Sequence, residues 1–233
     1  TADGVVDLGT YRKHRGAEPT APVRERAEPA VGKPAPAQPT VTGGVVVPLK
    51  PMLAVDEGIE GLTPDDWAFE GKWDGYRVLL SLHDGGVRLQ SRSGIDMTAD
   101  FPELAVLADD LAGHDLVLDG EVVALDPSGH TDFTLLASRR RHPGEYTLKL
   151  FLFDVLRLDG RDLESAPWEQ RRGVLEELAP LLEHSEVAEV PDLLQGPGGA
   201  AMDHARENGW EGVVAKRRSA PYRTSWCSAS PRR

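Results

Sequence analysis

Trp67-Ala68-Phe69-Glu70-Gly71-Lys72-Trp73-Asp74-Gly75-Tyr76-Arg77-Val78-Leu79-Leu80-Ser81-Leu82-His83-Asp84-Gly85-Gly86-Val87-Arg88-Leu89-Gln90 is read as strand, glycine turn, strand, hairpin turn and strand. Residues 67–70 form a short strand that runs into the Gly-containing turn. Tyr76–His83 and residues 87–90 are apolar-rich strands around Asp84-Gly85-Gly86, a hairpin signal. Downstream, residues 101–111 have helical spacing. Leu116–Leu125 and residues 148–156 are strongly β-like, the first interrupted by Asp119-Gly120-Glu121. Residues 167–182 read as a helix with proline near its first turn. Residues 200–208 read as a second helix stopped by Gly209, and Val213-Val214-Ala215 resumes a strand. Mixed hairpins and helices predict an α+β fold, antiparallel sheets with helices outside. No internal repeat is present.

Upstream the texture changes. Residues 1–48 are rich in Pro and Ala and have no helical or strand period, so they are expected to be a disordered linker or tail. The 233-residue chain is 40% hydrophobic and carries a formal net charge of -12. Residues 1–48 hold six Lys/Arg and five Asp/Glu, which leaves 20 basic against 33 acidic residues in the remainder. That balance argues against a broad basic nucleic-acid surface. Any contact with DNA is expected to use a few focused residues or another domain. Cys227 is the sole cysteine, which excludes an internal disulfide and a Cys-rich zinc site. No apolar run approaches the ~18 residues of a membrane helix, and the N-terminus has no secretory pattern. A cytoplasmic protein with no membrane partner is the expectation.

Several segments carry groups suited to phosphoryl-type chemistry. A lysine nucleophile must present a neutral amine, so it belongs near cations or in a desolvated site. Lys72 follows a strand and precedes a glycine turn, where the backbone can lie beside a ligand, and Arg77 is placed to hold a phosphate. Taken alone, Lys-x-Asp-Gly equally describes a lysine before a solvated turn. Arg92 in Ser91-Arg92-Ser93-Gly94 suits a phosphate or ribose contact, and equally an ordinary turn. Asp119-Gly120-Glu121 puts carboxylates inside an apolar strand, which calls for a partner, a ligand or a bulge. Phe151 and Phe153 alternate in a β segment and also fit a core. Glu211 and Lys216 fall on opposite faces of a regular strand. A shared site for them needs a bend at Gly212, or they act at different places.

In order, these segments resemble the motifs of the covalent nucleotidyltransferase superfamily: ATP-dependent DNA ligases, RNA ligases and mRNA capping enzymes. The similarity is closest to bacterial ATP-dependent DNA ligases, including the ligase module of multifunctional end-joining proteins. It rests on Phe69-Glu70-Gly71-Lys72-Trp73-Asp74-Gly75-Tyr76-Arg77, on Leu118-Asp119-Gly120-Glu121, and on Phe153-Asp154-Val155-Leu156 with Leu158-Asp159-Gly160. The fourth segment is Gly209-Trp210-Glu211-Gly212-Val213-Val214-Ala215-Lys216. The resemblance covers about residues 50–222. It implies an ATP-grasp-like adenylation domain over residues 49–222, between the linker and an atypical tail at residues 223–233.

The resemblance further implies that Lys72 becomes adenylylated and that Glu70 lies near the adenine. It places Arg77 and Arg92 on nucleotide or DNA phosphate, Glu121 near ribose and metal, Phe153 on the base, Glu211 at a metal and Lys216 near phosphate. The implied cofactors are ATP with Mg²⁺ or Mn²⁺. The implied partners are nicked or broken DNA, with other repair domains or end-binding proteins. An RNA ligase or capping-type transferase, and a non-catalytic nucleotide- or DNA-binding remnant, are the alternatives. One departure stands out. The family continues after a tyrosine like Tyr222 to a tryptophan and a closely spaced lysine pair, then an OB-fold domain. Here no lysine follows Lys216, and Trp226 comes early. Lysyl-AMP formation is therefore expected of these residues, and sealing is expected to draw on further parts.

Overall fold

The computed structural model describes residues 5–7, 51–56, 58–141 and 144–223. Among them the strands run β1 (Val5–Asp7), β2 (Val55–Asp56), β3 (Trp67–Lys72), β4 (Tyr76–His83) and β5 (Gly86–Ser91). They continue as β6 (Leu116–Leu125), β7 (Thr147–Leu158), β8 (Arg161–Asp162), β9 (Ala188–Glu189) and β10 (Gly212–Arg217). The α-helices are α1 (Leu107–Asp110), α2 (Phe133–Ser138), α3 (Trp168–Leu178) and α4 (Gly198–Glu207). One sheet has the order β2-β1-β10-β3 and the other β5-β4-β6-β7-β8, with β9 added parallel to β7. The pairings of β3 with β10, of β4 with β5 and β6, and of β6 with β7 are all antiparallel. This is the α+β architecture that the sequence predicts.

The turn between β4 and β5 is Asp84-Gly85, with φ of 49° and 72°. Two positive φ values are what a type I′ turn requires, and its twist matches that of the strands it joins. At the end of the preceding turn, a Cβ on Gly75 would lie 2.1 Å from the Val122 carbonyl oxygen. Only glycine lets the chain pass that close to β6 and enter β4.

Alternation along the strands separates core from site. On β3 and β10, Phe69, Val213 and Ala215 pack with Ile59 and with Ala201, Met202 and Ala205 of α4. Leu80, Leu82, Leu118, Leu150 and Leu152 pack with Leu175 and Leu178 of α3 in the larger core. On the other face of that sheet, Leu79, Val117 and Leu156 enclose Tyr222 beside Met52. That second face also carries Arg77 and Glu121, by the same alternation.

Three local expectations need correction. Residues 101–111 form a 3₁₀ segment, Pro102–Val106, followed by the short α1. Phe101, Leu104 and Leu107 recur every third residue and are all buried, a repeat that matches three residues per turn. The helix expected over residues 167–182 stops at Leu178, and Ala179–Leu182 is a 3₁₀ turn, because Pro180 has no N–H to continue the ladder. Within the expected linker, Val5–Asp7 forms β1 and pairs antiparallel with β10. Backbone ladders need no side-chain period. The rest of that segment and most of the expected tail, including Trp226 and Cys227, lie outside the described residues. Among the described residues, no helix is long and apolar enough to cross a membrane.

Candidate active site

Between the sheets lies a cavity of about 380 Å³. Strand β3 presents Glu70 and Lys72 to it, and β10 presents Val214 and Lys216. The second sheet supplies Arg77, Glu121, Phe153 and Asp154, while Arg92 stands just beyond the end of β5. Seven of the expected site residues thus line one cavity. Glu211 does not line it, but reaches it through an ion pair with Lys72.

The register explains that pairing. Gly212 is opposite Lys72 across β10 and β3, so Glu211 sits one step before the strand, beside the Lys72 side chain. Lys216 instead pairs with Glu70 at 2.7 Å and donates to the Phe153 carbonyl oxygen at 3.0 Å. Glu211, just before β10, and Lys216, within it, therefore take different partners, in line with one of the two options that alternation left open. Trp73 and Trp210, the neighbours of Lys72 and Glu211, have ring centroids 4.7 Å apart, and Trp73 also packs on Phe151 at 4.6 Å. This aromatic contact braces the two segments that carry the ion pair.

A bulge sets the position of Phe153. Asp119 is opposite Asp154 and Gly120 is opposite Leu152, which leaves Phe153 as the extra residue of β7. The bulge puts Phe153 and Asp154, adjacent in sequence, into one cavity wall. Gly120 is required there, since a Cβ would meet the Phe151 carbonyl oxygen at 2.7 Å. The Phe153 ring has two cations near its centroid, Arg77 and Lys216, each at 4.6 Å. Its expected place against a base is thus a ring already polarised by cation–π contact.

Arg77 does not stand free for a phosphate. Its Nε and Nη2 donate to Asp119 Oδ1 and Oδ2 at 2.6 and 2.7 Å. Burial alone would lower its pKa, yet the Asp119 carboxylate raises it, so Arg77 stays charged. Arg92 is exposed and has no carboxylate partner among the described residues, so its guanidinium remains available.

Glu121 has no hydrogen-bond or ion-pair partner among the described residues. Burial pushes its pKa up from an ordinary 4.5 to about 8; the Arg77 and Lys72 charges oppose this, while Asp119 and Glu211 add to it. Burial likewise raises Glu70 in spite of Lys216, and one of its oxygens, Oε1, is buried without a partner. The Trp168 indole N–H, in the same cavity wall, is also buried and unpartnered. An orphaned acceptor and an orphaned donor suit a polar heteroaromatic ligand.

Three residues of the site, Asp154, Arg171 and Tyr222, were given no role from sequence, and Asp119 was flagged only as part of a polar break in its strand. Asp119 is fully buried and anchors Arg77. Asp154 and Arg171 form a buried bidentate pair at 2.7 and 3.0 Å that ties α3 to β7 behind the cavity. Tyr222, quoted only as a landmark, donates to Asp119 Oδ2 at 2.5 Å.

Residues 49–229 match the family model described as ATP dependent DNA ligase domain. The chain belongs to that family. It is similar to the multifunctional non-homologous end joining DNA repair protein LigD of Mycobacterium tuberculosis, with 48% identity over 174 residues, covering 75% of this chain and 22% of that protein. LigD of Pseudomonas aeruginosa is 36% identical over 166 residues, 68% of this chain and 19% of that protein. Among solved structures, the ligase domain of M. tuberculosis LigD superposes with a TM-score of 0.69 at 45% identity, covering 76% of this chain and 57% of that one. A mycobacterial DNA ligase D complexed with ATP and MES gives the same TM-score and identity, with 76% and 56% coverage. The chain spans about a fifth of the length of these two LigD proteins.

Proposed function

We propose that residues 49–222 are the adenylation domain of an ATP-dependent DNA ligase acting in end-joining repair, with Lys72 as the AMP carrier. Apart from β1 (Val5–Asp7), residues 1–48 are then a linker, and residues 223–233 a tail. The observation that carries the reading is Lys72 itself. It ends β3 at the mouth of a cavity that also presents Phe153, two unpartnered polar groups and the cations Lys216 and Arg92. The likeness to a ligase solved with ATP supports the choice of nucleotide.

In the first step the neutral Lys72 amine attacks the α-phosphorus of ATP. A P–N bond forms, the bond to the bridging oxygen breaks, and pyrophosphate leaves while the lysine loses a proton. Glu211, ion-paired to Lys72, holds its side chain at the cavity. AMP then passes to the 5′-phosphate of a DNA nick, and attack by the 3′-hydroxyl releases it.

The donor set fits a divalent cation. Glu121 is a carboxyl without a protein partner, and Glu211 adjoins it across Lys72. Among the described residues no group of three or more His, Cys, Asp or Glu forms a cage. Mg²⁺ commonly takes one or two carboxylates and completes its shell with phosphate oxygens and water. Glu121 and Glu211 would hold Mg²⁺ or Mn²⁺, and the bound ion supplies charge neutralisation for the leaving pyrophosphate. The proposed setting is the cytoplasm, with broken DNA and other repair domains or end-binding proteins as partners.

The test is incubation with Mg²⁺ and ATP labelled at the α-phosphate, followed by denaturation. Protein-bound label that is lost in Lys72→Ala is expected. A folded wild-type chain that takes no label contradicts the assignment. Release of AMP on adding a nicked DNA duplex, compared with a nicked RNA duplex, then tests the substrate.

A further inference from the structure

Tyr222 poses a question that packing does not answer. Its ring is buried among Leu79, Val117 and Leu156, a setting that a phenylalanine ring would fill as well. The hydroxyl is nevertheless used twice. It donates to Asp119 Oδ2 at 2.5 Å and accepts the Met52 backbone N–H at 3.0 Å. Burial, with the Asp119 charge adding to it, pushes the phenol well above its ordinary 10, so it remains a donor throughout the working range.

Asp119 in turn receives both Arg77 nitrogens, and the Arg77 guanidinium lies 4.6 Å from the Phe153 ring centroid. A connected run therefore goes from Met52 through Tyr222, Asp119 and Arg77 to Phe153. All of these but Asp119 line the cavity. A bidentate pair fixes the guanidinium relative to its carboxylate, but not the carboxylate relative to the fold. The Tyr222 hydroxyl supplies that second constraint, and the Met52 N–H fixes the hydroxyl.

We propose that Tyr222 is a positioning residue for nucleotide binding, acting through Asp119 to hold Arg77 against Phe153 and so to keep the cavity shaped for its ligand. The proposal rests on the reading of this cavity as the ATP site. It assigns Tyr222 to affinity rather than to chemistry, because the hydroxyl touches the wall and not Lys72.

The experiment is a double-mutant cycle on the full chain, with the dissociation constant for Mg²⁺-ATP measured by calorimetric titration and the labelling rate measured at saturating ATP. Tyr222→Phe is expected to weaken binding roughly five- to tenfold, the scale of one lost hydrogen bond, with the saturating rate changed less than about threefold. Arg77→Ala is expected to weaken binding too, and the double variant to bind no worse than Arg77→Ala alone. The proposal is overturned if Tyr222→Phe binds ATP like the wild type, or if its loss multiplies that of Arg77→Ala. A Tyr222→Phe chain that does not fold also overturns it, since the hydroxyl would then be structural. If the wild type itself binds no ATP, the nucleotide-site reading falls, and this proposal with it; that outcome is distinct from the others.

Discussion

Replacing Glu121 with glutamine should stabilise the protein near pH 8 and flatten its stability profile. Burial holds the Glu121 carboxyl at about 8 instead of 4.5. An acid raised in this way binds more protons folded than unfolded, so stability falls as pH rises. The contribution is complete below about 4.5, declines between 4.5 and 8, and is gone above about 8. A displacement of that size corresponds to at most about 5 kcal/mol, at ~1.4 kcal/mol per pH unit. Relaxation and water at the cavity mouth reduce it, so about 2–3 kcal/mol is the expected loss. Glutamine keeps the shape and has no charge to bury. Urea unfolding of wild type and Glu121→Gln at intervals from pH 5 to pH 9 reads the difference directly. The stability gap should widen in favour of glutamine toward alkaline pH. Parallel profiles would show that Glu121 ionises normally, and would refute the account of the cavity as a desolvated carboxyl site.

Other consequences are as direct. Arg171→Met leaves Asp154 buried without its partner, and denaturant unfolding should show a loss of about 3–5 kcal/mol; a loss under ~1 kcal/mol would mean that the pair is solvated. Gly75→Ala drives a methyl group into the Val122 carbonyl oxygen, a backbone atom that cannot give way, and should lower the melting temperature by several degrees, at a cost of ~1–3 kcal/mol. Unchanged melting would show that the turn has room. Mg²⁺-dependent ATP binding should strengthen as pH rises toward 8, because an ionised Glu121 is the better ligand; titrations at pH 6.5 and 8.5 with equal affinity would count against Glu121 at the metal.

The strands that position the site were legible because their signals are local. The ranges of β4 and β6 are as expected from apolar runs and the Asp-Gly turn. α2 was not, although Asp132 caps it by accepting from the Thr134 and Leu135 N–H groups; at six residues it is too short for a periodic signal. The candidate residues were found as types in a resembling order, but their partners were not. Which carboxylate takes which cation depends on register between strands far apart in sequence. Lys216 binding Glu70 while Glu211 binds Lys72 is a fact of the β3–β10 pairing. Two partners did leave a trace. Asp119 interrupts an apolar strand, and such a residue needs a buried counter-charge. Arg171 occupies an inward position of α3 between Trp168 and Leu175, all three buried. An arginine within an apolar helical stripe is a legible request for a buried acid.

The central claim is that this cavity delivers AMP to one particular nitrogen. Incubation with Mg²⁺ and ATP, digestion, and mass spectrometry of the peptides locate any adduct. The account predicts AMP on the peptide containing Lys72, at its side-chain nitrogen, and nowhere else in the chain. AMP on Lys216 or on another lysine, or none on a folded chain that binds ATP, would contradict it.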